Sequence, residues 1–284
     1  MAKLRRAGAP GATASSHTPS TASAASVPSA AVPPEPAYIL KRVPLDRGAL
    51  RNAGYLPEEL FERRFADQFR QIKRPLIDKA LAGNADKRLI LVSSALPGDG
   101  KTFTSINLAF SMARERDVSV LLVDADAPRG RVSEVFGLRG ERGLLDALSD
   151  TSVRVDSLIV ETDVPGLQIL PVGRFVEGAT ELFASTRMEE VAARIGIRDP
   201  RRLVLMDSAP LLVSSEGRAL LRIPGQVILV ARCGVTPRHA IAEAVALVDK
   251  SKIQGVVLNQ ASAMGGGYYN YGYGDEAAPE KYRD

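Results

Sequence analysis

Leu89-Ile90-Leu91-Val92-Ser93-Ser94-Ala95-Leu96-Pro97-Gly98-Asp99-Gly100-Lys101-Thr102 is the stretch from which the architecture of the chain is read. Its aliphatic start predicts a buried strand, and its glycines predict a turn. Ile106, Leu108, Ala109 and Phe110 then lie on an apolar helix that opens at Gly100-Lys101-Thr102. Strand, glycine-rich loop and helix in that order are the setting of a phosphate-binding loop. Gly98 and Gly100 let backbone N–H groups converge on phosphate, and the helix N-terminus adds a favourable dipole. Lys101 is placed to reach the β- and γ-phosphates, and the Thr102 hydroxyl to ligate magnesium. Pro97, Gly98, Asp99, Gly100, Lys101, Thr102 and Phe103 are therefore the expected nucleotide-binding residues, with ATP and Mg2+ as cofactors. Ala95 stands where such loops usually carry their first glycine. The plainer alternative is a glycine-rich turn with a chance Lys-Thr.

Working outward, short apolar runs recur at Val118–Val123, Leu167–Leu170, Leu203–Met206, Val227–Val230 and Gly255–Leu258, separated by helical stretches. Near-continuous apolar strands alternating with helices predict an α/β fold: a mostly parallel sheet flanked by helices on both faces, the three-layer P-loop NTPase architecture. Before it, Leu60, Phe61, Phe65, Phe69 and Ile72 predict a helix over about 57–81, which Pro75 should kink or end. Residues 37–56 read as a loosely packed connector.

Two further strands end in acids. Val120-Leu121-Leu122-Val123 runs into Asp124-Ala125-Asp126, and Leu203-Val204-Leu205-Met206 into Asp207-Ser208-Ala209-Pro210. Ligands of open α/β sheets bind at the carboxyl ends of strands. If the first of these strands persists, Asp124 and Asp126 share a face. Two like charges buried there call for a cation or a proton. Asp207 reads as a Walker-B-like acid holding magnesium through Thr102 or water. The expected metal set is Thr102, Asp124 and Asp207, and the expected catalytic set Lys101, Asp124 and Asp126. Solvated loop acids and helix caps are the bland alternative.

Composition bounds what remains. Hydrophobic content of 45% and charged content of 25% over 284 residues suit one globular domain with a substantial core. A net charge of +4, spread over scattered clusters, argues against nucleic acid as a partner. The single cysteine, Cys233, precludes an intramolecular disulfide, and His17 and His239 are too few and too distant for a metal site. No apolar run approaches the ~20 residues of a membrane span, and no apolar segment follows Lys3, Arg5 and Arg6 as in a secretory signal. A cytoplasmic location is expected, with any membrane contact made through a partner. Residues 1–36, rich in Ala, Ser, Thr and Pro, read as a disordered arm. Residues 37–264 then form the nucleotide-binding domain and 265–284 a flexible tail. Five of the seven tyrosines, Tyr268, Tyr269, Tyr271, Tyr273 and Tyr282, fall in that glycine-rich tail. Tyrosine is normally spent on cores and interfaces.

From about Phe65 onward the chain resembles the bacterial tyrosine kinases of the exopolysaccharide type, themselves similar to MinD/ParA ATPases. The matching stretches are Pro97–Thr102, Asp124–Asp126, Asp207–Pro210, Gly173, Thr180-Glu181-Leu182 and Gly255–Asn259. The run Leu96-Pro97-Gly98-Asp99-Gly100-Lys101-Thr102-Phe103-Thr104 and the Gly/Tyr-rich end are most similar to stand-alone autokinases of exosortase-linked loci. The resemblance implies that Asn259 contacts adenine, where the residues alone allow a plain strand-to-turn position. It implies an oligomerisation motif in Asp67, Arg70 and Lys73, which could equally be solvated helix charges. Lys73 stands where the family has arginine, and Ala127 and Pro128 shift Arg129 by one place. Activity by resemblance is ATP-dependent autophosphorylation of the tail tyrosines in a homo-oligomer, regulating exopolysaccharide or capsule synthesis. A membrane polysaccharide chain-length regulator would be the partner, giving a location peripheral to the inner membrane. A MinD/ParA-like ATPase and a nucleotide-driven assembly scaffold remain the alternatives. Leu96 in place of the extra lysine usual in MinD/ParA loops counts against the first. The tail could instead serve stacking, self-association or polysaccharide binding.

Overall fold

A computed structural model describes residues 40–261, apart from residues 59, 61, 84 and 198. Eight strands form one sheet: β1 (Arg42–Val43), β2 (Leu89–Ser94), β3 (Ser119–Ala125), β4 (Val160–Thr162), β5 (Leu167–Leu170), β6 (Arg202–Ser208), β7 (Gln226–Arg232) and β8 (Ile253–Asn259). The helices are α1 (Arg47–Asn52), α2 (Glu62–Ala82), α3 (Lys101–Ala113), α4 (Arg131–Val135), α5 (Leu144–Ser149), α6 (Ala179–Ala184), α7 (Thr186–Ile197), α8 (Ser215–Ala219) and α9 (Arg238–Ala246). Strand order is β1-β4-β5-β3-β6-β2-β7-β8, and every neighbouring pair is parallel except β4–β5.

The six expected apolar runs are strands β2, β3, β5, β6, β7 and β8. Alternate side chains of a strand face opposite ways, and here each face meets a helical layer. Leu91, Leu121, Val123, Val204 and Met206 pack toward Leu144, Leu148, Met188, Val191 and Ala244 of α5, α7 and α9. Ile90, Val92, Val120, Leu122 and Leu205 pack toward Phe69, Leu76, Ile77, Ile106 and Met112 of α2 and α3. Every residue of β2 and β6 is buried, which explains why these strands read as unbroken apolar runs.

Two expectations are revised. Pro75 does not end α2, which continues to Ala82. A proline inside a helix costs about 3 kcal/mol. Burial of Phe69, Leu76, Ile77 and Ala80 on the same helix outweighs that, at roughly 1.5–3 kcal/mol for each large side chain. Nor is the segment from residue 40 to 56 a loose connector. β1 extends the sheet beside β4, and Leu45 and Leu50 are buried against the α2–α3 side.

Candidate active site

The loop between β2 and α3 lies at the carboxyl edge of the sheet. Gly98 and Gly100 take φ values of 86° and 92°, the left-handed region that favours glycine. Gly100 is constrained twice, because a Cβ there would lie 1.9 Å from Asn259 Nδ2. Asp99 is buried and turned into the loop's own support. Its Oδ2 accepts from the Leu96 amide at 3.1 Å, and its Oδ1 from the Thr236 hydroxyl at 2.6 Å. Thr236 Oγ1 in turn accepts from the Arg232 amide at 2.7 Å, tying the loop to the end of β7. Asn259, at the end of β8, donates from Nδ2 to the Asp99 carbonyl at 3.1 Å, and its Oδ1 accepts from the Gln260 amide at 3.0 Å. Gln260 adopts φ 55°, a conformation rare for a non-glycine residue.

Beneath the loop three acids meet one lysine. Asp124 and Asp207 are register partners on adjacent strands, both fully buried. Asp207 accepts from the Thr102 hydroxyl at 2.8 Å through Oδ2 and from the Ser105 hydroxyl at 3.0 Å through Oδ1. Burial pushes its carboxyl up to about 7, against the nearby Lys101 charge, with Asp124 and Asp126 pushing the same way as burial. Asp124 Oδ2 accepts from both the amide and the hydroxyl of Ser133, each at 2.7 Å. Burial still lifts Asp124 to about 6, because the Ser133 and Asp126 hydrogen bonds offset only part of the desolvation. Lys101 Nζ lies 3.0 Å from Asp126 Oδ2, with both side chains buried. Beyond that ion pair, neither Asp126 oxygen accepts a hydrogen bond.

Three buried carboxylates facing one ammonium form an under-compensated site, which a divalent cation would balance. The residue types fit magnesium, a hard ion that takes oxygen ligands and keeps several waters beside one or two carboxylates and phosphate. Among the described residues no group of three or more acidic, histidine or cysteine side chains is arranged to hold a metal ion by itself.

The other expected residues separate. Pro97 and Gly98 are exposed at the loop tip. The Phe103 ring packs edge-on against Phe65 and near Phe69, so its side chain belongs to the α2–α3 contact and its backbone remains for phosphate. Asp67 and Arg70 are exposed and pair at 2.9 Å. Lys73 stands apart from them: its buried amine donates to the Ser111 carbonyl at 2.6 Å and pairs with Glu115 at 2.8 Å, clamping α2 to α3. The arm before residue 40 and the five tail tyrosines lie outside the described residues.

Four supports escaped the sequence reading: Ser105, Ser133, Thr236 and Asp146. Ser105 follows Thr102 by one helical turn, a spacing that could have found it. Thr236 acts on Asp99 across 137 residues and carries no local signal, Ser133 reaches Asp124 from nine residues on, and Asp146 could have been found as the acid three residues after Gly143 at the start of α5.

A family model described as an AAA domain matches residues 87–259. The chain is 29% identical over 191 residues to the tyrosine-protein kinase wzc of Salmonella typhimurium, covering 66% of this chain and 26% of that protein. It thus spans about a quarter of the length of the curated relatives it matches. The kinase domain of Escherichia coli tyrosine kinase ETK superposes with a TM-score of 0.57 at 27% identity, over 65% of this chain and 72% of that one. The septum site-determining protein MinD of Pyrococcus horikoshii, complexed with Mg-ADP, shares the fold at TM-score 0.50 and 21% identity, over 60% of this chain and 69% of its own.

Proposed function

We infer, from the premise that this chain belongs to the AAA domain family of P-loop proteins, that it is an ATP-dependent protein tyrosine kinase acting on its own tail tyrosines. The observation that carries the reading is the group of buried acids Asp124, Asp126 and Asp207 around Lys101, at the carboxyl edge beside the P-loop. The similarity to tyrosine kinases and the tyrosine-rich sequence after residue 264 supply the acceptor.

ATP lies along the loop, with the backbone amides of residues 98–103 toward its phosphates and Asn259 toward the base. Magnesium would be held by the Thr102 hydroxyl, Asp207 and Asp124, supplying charge neutralisation at the transferred phosphoryl group. Lys101 leaves Asp126 to meet the β- and γ-phosphates. The tyrosine oxygen attacks the γ-phosphorus, the bond to the β–γ bridging oxygen breaks, and ADP departs. The phenol proton passes to Asp124, with Asp126 as the alternative acceptor. Most of the acceleration is positioning and electrostatics.

The same reading includes a homo-oligomer using Asp67 and Arg70, a role in exopolysaccharide or capsule synthesis, and attachment to the inner membrane through a chain-length regulator. Among the described residues no helix is long and apolar enough to cross a membrane.

The test is incubation of the purified chain with Mg-ATP and mass-spectrometric mapping, beside Lys101→Met. Phosphotyrosine within 268–282, absent from the variant, is expected. Hydrolysis of ATP with an unmodified tail, even after a membrane partner's cytoplasmic segment is added, would move the assignment to a MinD/ParA-like ATPase.

A further inference from the structure

The strand order fixes which side of the site an acceptor can approach. The P-loop follows β2, and its support lies on the β7–β8 side, through Thr236 and Asn259. The acids lie on β6 and at the end of β3. On the far side of them from the P-loop's support is the end of β5, which neighbours β3.

Residues 171–175 continue from β5 past that end and are built against the site. Val172 donates its amide to Ser133 Oγ at 2.9 Å, and the same hydroxyl donates to Asp124. Pro171 and Val172 carbonyls accept from the Leu144 and Leu145 amides at 2.8 and 2.9 Å. Asp146 locks the turn, accepting from the Gly143 and Arg174 amides through Oδ2 and from Arg174 Nε through Oδ1 at 2.7 Å. Phe175 projects from this braced turn, 83% exposed, while the Arg174 guanidinium lies along Asp146 with its outer face open to solvent. Arg142 lies 3.8 Å from the same Asp146 carboxylate and is half exposed. Arg129 is exposed on the loop that leaves Asp126. One carboxylate thus holds two arginines, and an exposed aromatic ring follows Arg174 in the chain.

We propose that this rim is the acceptor-peptide site, with Phe175 as a ring platform and Arg142 and Arg174 as readers of acidic residues flanking the acceptor tyrosine. The occupant is the 262–284 segment of this chain, from the same or a second copy. Its charge complements the rim, since Asp275 and Glu276 follow Tyr273 directly after Gly274. Its length also suits. Five strand spacings separate β8 from β5, about 24 Å at ~4.8 Å each. At ~3.3–3.6 Å per extended residue, seven residues from 261 to Tyr268 just cover that span, and twelve to Tyr273 cover it with slack. The proposal rests on the kinase reading above and adds the peptide it selects.

The experiment uses the full chain with a synthetic peptide of residues 265–284 in excess, and reads peptide phosphotyrosine against peptide concentration. A peptide carrying Asp275→Asn and Glu276→Gln should show KM raised about threefold to tenfold, the scale of losing two exposed ion pairs, with the change confined to KM. Phe175→Ala in the kinase should raise KM for the unmodified peptide by about fivefold. An Arg142→Glu kinase should regain affinity for a peptide with Asp275→Lys and Glu276→Lys, which mere loss of structure would not produce. Equal KM for the native and neutralised peptides would overturn the rim's role while leaving the kinase reading intact. No phosphotyrosine in any arm would overturn both.

Discussion

The floor and the walls of the site treat buried carboxylates in opposite ways. On the walls, Asp99 and Asp146 have their oxygens taken up by hydrogen bonds, each closing a loop. On the floor, Asp124 and Asp207 are lifted toward neutrality by burial, and Asp126 accepts no hydrogen bond beyond its ion pair with Lys101. Donors of the chain reach both regions, since Asp207 accepts from Thr102 and Ser105 and Asp124 from Ser133, so what sets the floor apart is three buried acids clustered around one lysine. A carboxylate that holds structure joins segments of its own chain without like charges beside it. One that awaits a cation and a phosphate is left under-compensated.

The largest expected effect breaks the floor. Asp207→Asn keeps the shape beside Thr102 and Ser105 but removes a charge that the folded chain tolerates poorly. Phosphotransfer should fall roughly a hundredfold or more. The melting temperature of the metal-free chain should hold or rise, since relief of a buried like charge offsets the altered hydrogen bonds. A variant that melts lower than the parent would place Asp207 with the structural acids. Next comes the wall itself. Gly100→Ala puts a Cβ onto Asn259 Nδ2 and demands a positive φ from an L-residue. A destabilisation of about 1–3 kcal/mol by denaturant titration, with loss of nucleotide binding, is expected. Unchanged binding of a fluorescent ADP analogue would show that Asn259 is free to move away.

Much of this was legible because the central strands are buried on both faces, so their apolar runs had no competing pattern. The P-loop and the strand-end acids were equally readable, since each follows directly from a strand that the sequence announces. β1 and β4, of two and three residues, have no periodicity to detect. Pro75 misled because helix propensity is local, whereas the packing of Phe69, Leu76 and Ile77 that carries α2 past it is tertiary. The grouping of Lys73 with Asp67 and Arg70 came from the family resemblance, which carries no information on burial. Burial placed its amine on α3 instead. Thr236 was invisible because it reaches Asp99 across 137 residues, and Ser133 and Asp146 because their contacts with Val172 and Arg174 are tertiary, although Asp146 also caps α5 locally through the Gly143 amide.

A smaller effect separates the two classes by pH. Burial raises the Asp146 carboxyl, but the hydrogen bonds from Gly143 and Arg174 and the Arg174 charge outweigh it, so its net pKa lies below the ordinary value. A depressed folded pKa contributes stability above the unfolded pKa of ~3.9, lost as pH falls through the folded value. Asp146→Asn should therefore cost about 1.5–3 kcal/mol at neutral pH. The gap from the parent should begin to narrow as pH falls below about 4 and close as it passes the lower folded value, followed in urea titrations. A gap that persists unchanged into strong acid would mean that shape, and not charge, holds the 171–175 turn.

The smallest effect tests whether walls govern binding while the floor governs chemistry. Thr236→Val preserves volume and branching but removes one hydroxyl that both donates to Asp99 Oδ1 and accepts from the Arg232 amide. Asp99 keeps its bond from Leu96, so the loop should loosen without collapsing. The loss of a hydrogen bond to a carboxylate is worth about 1–2 kcal/mol here, a roughly fivefold to thirtyfold weakening of ADP binding. At saturating ATP the rate of phosphotransfer should stay near that of the parent, since Lys101, Asp124 and Asp207 are untouched. A fall in the saturated rate as large as the fall in affinity would show that the P-loop's support reaches the reacting phosphate, and the division between wall and floor would no longer hold.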